Sequence, residues 1–164
     1  MIGASIITIL IIVLVGVIIN GFEDYNKRRQ RDVVSFKEFL ELTSLPIATF
    51  KQGDKDLNFV LDTGANYSIL NKKEEKNVIL KEASGGSMVL GIGGELTMTE
   101  VKEMEFSHNK DVFIEEFQIM DISKTVENYK RKKGVIIHGI LGNSFMQTYK
   151  YVLDFDKMIM YHKK

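Results

Sequence analysis

An aspartate closes an apolar run before the middle of the chain: Phe59-Val60-Leu61-Asp62-Thr63-Gly64-Ala65. A carboxyl group so placed can act as a base toward water or as an acid toward a departing nitrogen. Hydrolysis of a peptide bond by water needs both roles. Two carboxyls close enough to share one proton supply both, because the two do not ionise together. The Asp-Thr-Gly motif occurs once in 164 residues. If the pair is built from this motif alone, one chain carries half of it and a symmetry mate would supply the other half. The competing reading is structural, since Asp and Gly are common where a turn ends a strand.

The remaining inventory removes other chemistries. With no cysteine in the chain there is no thiolate nucleophile, no Cys-ligated zinc and no disulfide. His108, His138 and His162 show no ligand spacing, so no metal site is expected. No G-x-S-x-G and no glycine-rich phosphate loop ahead of a helix is present, and no cofactor is implied. The methionines are scattered and read as core filling. Basic and acidic residues number 22 each, which leaves no excess positive charge to neutralise a nucleic-acid backbone. Lys72 to Lys76 reads as a solvated face. Tyr129 to Lys133 reads as the basic end of a helix, favoured by the helix dipole, with contact to a membrane surface as a second reading.

The elements that must position Asp62 are mostly strands. Pro46 to Phe50 and Leu57 to Leu61 flank a turn at Gln52-Gly53-Asp54-Lys55, giving a β-hairpin that runs straight into Asp62. Ser87 to Val101 reads as a second hairpin with its tip at Gly91-Ile92-Gly93-Gly94. Val112 to Met120 alternates as a strand. Ser123 to Lys133 is expected to be a helix, with Ser123 as N-cap and Gly134 as its stop. Val135 to Ile137 is expected as a buried strand, Asn143 to Thr148 as a short helix, and Tyr151 to Tyr161 as paired strands turning at Asp156-Lys157. Val34 to Leu42 reads equally as an amphipathic helix or an extended arm. The predicted fold is mostly β, a small closed barrel or a sandwich with one or two short helices.

The stretch from Phe59 to Leu70 resembles the active-site strand and loop of retropepsin-like aspartic proteases: apolar residues, Asp-Thr-Gly-Ala, two variable residues, then Ser and apolar residues. Ile136-Ile137-His138-Gly139-Ile140-Leu141-Gly142 resembles the second signature of that family, and Tyr151 to Asp156 the strand after it. The resemblance covers about residues 45 to 161. It implies a homodimeric aspartic endopeptidase in which Asp62 of each subunit is catalytic and an extended peptide is the substrate. It also implies that Thr63 interlocks the two active-site loops, and that Gly64 and Ala65 allow close approach. Ser68 would hydrogen-bond the carboxylate or the loop behind it. Gly91, Ile92, Gly93 and Gly94 would form a flap. His138 stands where an acidic residue is expected, a departure with no sequence-level account. A dimeric peptide-binding or signalling module that kept the fold without turnover is the alternative.

Ahead of this domain, residues 2–22 carry no charged side chain. At about 1.5 Å per residue a helix of this length spans roughly 30 Å, the thickness of a bilayer core. No basic residue precedes the run and no small-residue cleavage site follows it, which favours a retained anchor over a cleaved signal. Lys27, Arg28, Arg29 and Arg31 follow directly, placing the C-terminal domain in the cytoplasm by the positive-inside tendency. The expected organisation is a transmembrane anchor at 1–22, a juxtamembrane linker at 23–44 and the protease-like domain at 45–164.

Overall fold

The computed structural model describes residues 14–21, 33–83, 87–90 and 96–162, with backbone alone at 87–90 and 96–98. The chain divides into two units, residues 1–33 and 34–164. In the first, residues 14–21 are helical. Among the described residues no helix is long and apolar enough to cross a membrane, and most of the expected span at 2–22 lies outside them.

The second unit is built on a barrel. Strands β2 (Ile47–Gln52) and β3 (Lys55–Leu61) form the expected hairpin, Ile47 opposite Val60, with Gly53 at φ 60° in the turn. From β3 the order runs through β10 (Gly139–Leu141), β4 (Ser68–Asn71), β9 (Asp111–Met120) and β8 (Val101–His108). Pairing of β8 with β2, Lys51 opposite Ser107, closes the ring at six strands. β5 (Lys81–Glu82) extends β8 at the margin. β6 (Ser87–Leu90) and β7 (Leu96–Thr99) pair as the second hairpin, and its expected tip, Gly91 to Gly94, lies outside the described residues.

Alternation along the strands sends phenylalanines inward. Phe50, Phe59, Phe106, Phe113 and Phe117 are almost fully buried, and Phe145 joins them from α3 (Asn143–Thr148). Phe50 and Phe106 meet edge to face at 5.2 Å, and Phe59 stacks on Phe117 at 5.5 Å. Such pairs add about 0.5–1.5 kcal/mol each beyond area burial, and they make the barrel a rigid base for the loops at its ends.

The folded unit starts earlier than the expected boundary at 45. Val34 and Phe36 lie in the main core, the Phe36 N–H donates to the Met158 carbonyl, and the Phe36 ring sits 5.4 Å from that of Phe155. Both readings of this stretch hold in part: β1 (Val33–Ser35) is extended and α1 (Lys37–Thr43) is helical. β1 flanks β12 (Ile159–His162), which pairs with β11 (Tyr151–Asp154).

Two local expectations are corrected. Helix α2 spans Ser123–Lys133 and stops at Gly134 in the left-handed region, but Ser123 is its first residue, not its cap. The Asp121 carboxylate accepts the Ser123 N–H at 2.9 Å instead. Val135 to Ile137 is not a strand; it is fixed by Asn58, whose Nδ2 donates to the Ile136 carbonyl. Upstream of its pairing with β4, β9 meets Tyr149: the hydroxyl accepts the Ile114 N–H at 2.8 Å and donates to the Ile114 carbonyl at 2.7 Å.

Candidate active site

Asp62 follows the last residue of β3, and its N–H donates to the Leu141 carbonyl on β10 at 3.0 Å. The chain then turns sharply. The Gly64 N–H donates to Asp62 Oδ1 at 2.8 Å, and the Ala65 N–H to the Asp62 carbonyl at 3.2 Å. A Cβ at position 64 would stand 3.1 Å from Asp62 Oδ1, so glycine keeps the carboxylate uncrowded. Asp62 is half-buried, and Thr63 and Gly64 are exposed at the loop's crest.

The loop is held from behind by the turn into α3. The Asn143 N–H donates to the Ala65 carbonyl at 2.8 Å and the Ser144 N–H to the Asn66 carbonyl at 3.0 Å. Asn143 Nδ2 adds a bond to the Thr63 carbonyl at 2.8 Å. These bonds use N–H groups that a helix start leaves without intrahelical partners. Gly142 is required here. A Cβ on it would stand 2.5 Å from the Tyr67 carbonyl oxygen and 2.8 Å from that of Ala65.

Beneath the turn lies a buried carboxyl. Glu115, on β9 and only 6% exposed, receives hydrogen bonds at Oε1 from Ser68 Oγ (2.8 Å) and Ser144 Oγ (2.7 Å). Ser68 Oγ in turn accepts the Gly142 N–H at 3.2 Å. The Ser68 hydroxyl thus bonds Glu115 and the Gly142 backbone; among the bonds described it makes none to the Asp62 carboxylate. Burial pushes the Glu115 carboxyl above its ordinary range, and the two serine hydroxyls pull it partly back.

His138 also gains an account. Its Nδ1 accepts the Asn58 N–H at 3.0 Å, its own N–H donates to the Asn58 carbonyl, and its carbonyl accepts the Asn71 N–H. The ring joins β3 to the segment entering β10, a role that an acceptor nitrogen fills only when neutral. Burial pushes its imidazole below the ordinary value.

The structure thus places Asp62, Thr63, Gly64 and Ala65 in one loop, with Ser68 opening β4 behind it. Asn143, Ser144 and Glu115 hold that loop and were not expected. For Glu115 a signal was available: it shares the inward parity of Phe113, Phe117 and Ile119 on a strand the sequence reveals. Beside Thr63 lies an open hollow of about 590 Å³ bounded by Asn143, Met146, Gln147 and residues of β11. Among the described residues no cluster of His, Asp and Glu gathers as a metal site.

The profile of the retroviral aspartyl protease family matches residues 43–154, two thirds of the chain. The chain belongs to this family. Among solved structures, the EIAV protease complexed with the inhibitor HBY-793 is similar over 70% of this chain and 96% of that one, at 20% identity and a TM-score of 0.47. Comparison with curated proteins gives no match.

Proposed function

We propose that this protein is an aspartic endopeptidase that works as a homodimer, with Asp62 of each subunit forming the carboxyl pair that activates water. The observation that carries this reading is a single Asp-Thr-Gly loop, braced from behind by Gly142, Asn143 and Ser144, with its crest open to solvent. A lone half-buried carboxyl is an incomplete acid–base device, and an exposed crest leaves room for its symmetry mate. Thr63 would bind across the twofold axis, and the partner would cover the hollow beside it. Once paired, one carboxyl holds the proton while the other takes one from water attacking the peptide carbonyl. The proton then passes to the departing nitrogen.

The second part of the proposal is a membrane anchor formed by residues 2–22, with the protease domain on the cytoplasmic side. The support is an uncharged stretch of sufficient length and the basic residues after it. Anchoring would confine the enzyme to substrates at the membrane. It would also raise its effective concentration for pairing.

Asp62→Asn tests the chemistry. The variant is expected to keep the wild-type melting temperature and to lose peptide cleavage by about 10²–10⁴-fold or more. Undiminished cleavage by the variant would reject the assignment. A wild-type chain that binds peptides across acid to neutral pH and never cuts them would identify the non-catalytic binding module instead.

A further inference from the structure

Among the described side chains, Gln118 Nε2 is the one buried nitrogen or oxygen without a hydrogen-bond partner. Gln118 is only 4% exposed on β9. Folded proteins rarely leave a buried amide donor unmet, and the exceptions often await a ligand or an ordered water.

Strand register indicates what would meet it. Val60, Ile140, Ile69 and Gln118 stand side by side across β3, β10, β4 and β9. Cross-strand partners share a sheet face, as do residues two apart on one strand. Asp62, two residues beyond Val60, therefore belongs to the face of this row. The opposite face carries Leu61, Leu70, Leu141 and Ile119 into the barrel core. Val60, Ile140 and Ile69 are only partly buried, Val60 packing in part against a second apolar cluster of Ile47, Val126, Val135 and Ile137, and the row sets apolar side chains beside Asp62 with a carboxamide at its far end. At about 4.8 Å per strand, Gln118 lies roughly 14 Å across the sheet from Val60. An extended peptide advancing about 3.3 Å per residue covers that distance in roughly four residues.

We infer that Gln118 is a specificity residue, whose amide N–H selects substrates carrying an uncharged carbonyl acceptor, the carboxamide of Asn or Gln, within a few residues of the scissile bond. An aliphatic side chain at that place leaves the donor unmet. A carboxylate would meet it but would face Glu116, exposed two residues back on the same face. The inference rests on the protease reading above, and its test separates the two.

The full-length chain is tested with a positional-scanning peptide library in two ways. Cleavage sites are read for wild type and Gln118→Met, and affinity selection is read on Asp62→Asn with and without Gln118→Met. The expected result is an enrichment of Asn and Gln of about tenfold at one fixed position, lost with Gln118→Met in both readouts while cleavage of other peptides continues. Gln118→Met is also expected to melt no lower than wild type, because it removes an unmet polar group. Cleavage with an unchanged profile in Gln118→Met overturns the inference and leaves the protease reading intact. Selective binding without cleavage by wild type supports the inference and removes the protease reading. Neither cleavage nor selective binding removes both. A lowered melting temperature with an unchanged profile makes Gln118 a structural residue satisfied by internal water, which also overturns the inference.

Discussion

Two buried titratable residues, Glu115 and His138, pull stability in opposite directions with pH. Glu115 has its carboxyl pushed up by burial. Its folded form holds the proton more tightly than the unfolded chain does. Its contribution is therefore complete below the ordinary carboxyl range and is lost as pH rises through the elevated value. Glu115→Gln keeps an acceptor for Ser68 and Ser144 without the charge. We expect it to melt above wild type at pH 8, with the difference closing toward pH 4 in thermal melts. His138 runs the other way. Burial pushes its imidazole down, so its contribution is complete above the ordinary value of about 6.5 and falls as pH drops below that. His138→Asn retains an acceptor for the Asn58 N–H. It is expected to be about 1–2 kcal/mol less stable at neutral pH. It should also lack the acid-side slope of wild type between pH 6.5 and the depressed value. An unchanged slope in that variant would place the acid sensitivity elsewhere. At this scale the turn around Asp62 was legible because its motif is contiguous. Glu115 and His138 were not, because their partners, Ser68 and Ser144 for one and Asn58 for the other, are brought to them only by folding.

The element that fixes the loop is the turn from β10 into α3. Gly142 admits the Tyr67 and Ala65 carbonyls at distances that a methyl group would violate. Gly142→Ala is expected to cost about 1–3 kcal/mol through overpacking. Its larger effect should be on cleavage rate, because the Ala65 and Asn66 carbonyls would be pushed off the helix start and Asp62 would move with them. A variant of normal activity would mean that the turn is softer than its contacts imply. The strands and helices themselves were largely readable. Apolar alternation gave the first hairpin and β9, and Gly134 ended α2 as glycine does at a left-handed stop. Misplacements occurred where a side chain, not the periodicity, set the boundary. Asp121 took the cap expected of Ser123, and Asn58 held Val135 to Ile137 without a ladder. The early start of the body at Val34 was hidden for a related reason: Phe36 finds its partners, Met158 and Phe155, at the other end of the chain.

For the whole molecule, the proposed half site per chain would make activity a property of concentration. Specific activity is expected to fall on dilution of the purified protein, and the rate to approach second order in chain below the dimer dissociation constant. Added in excess, Asp62→Asn chains should suppress wild-type cleavage by forming mixed pairs. Constant specific activity on dilution, with no suppression, would mean that one chain suffices. At this scale the sequence offers an expectation alone: one Asp-Thr-Gly motif per chain, and hence half of a carboxyl pair.

A protein that pairs with its own copies, as proposed, would also risk meeting them wrongly. The leading part of β9 carries Val112 and Ile114 outward, both well exposed, on an edge unpaired with any described strand there. Such a margin invites a stray strand and, from it, fibrous growth. The phenol of Tyr149 already occupies both the donor and the acceptor of Ile114. A single aromatic hydroxyl thereby blunts this margin against open-ended polymer.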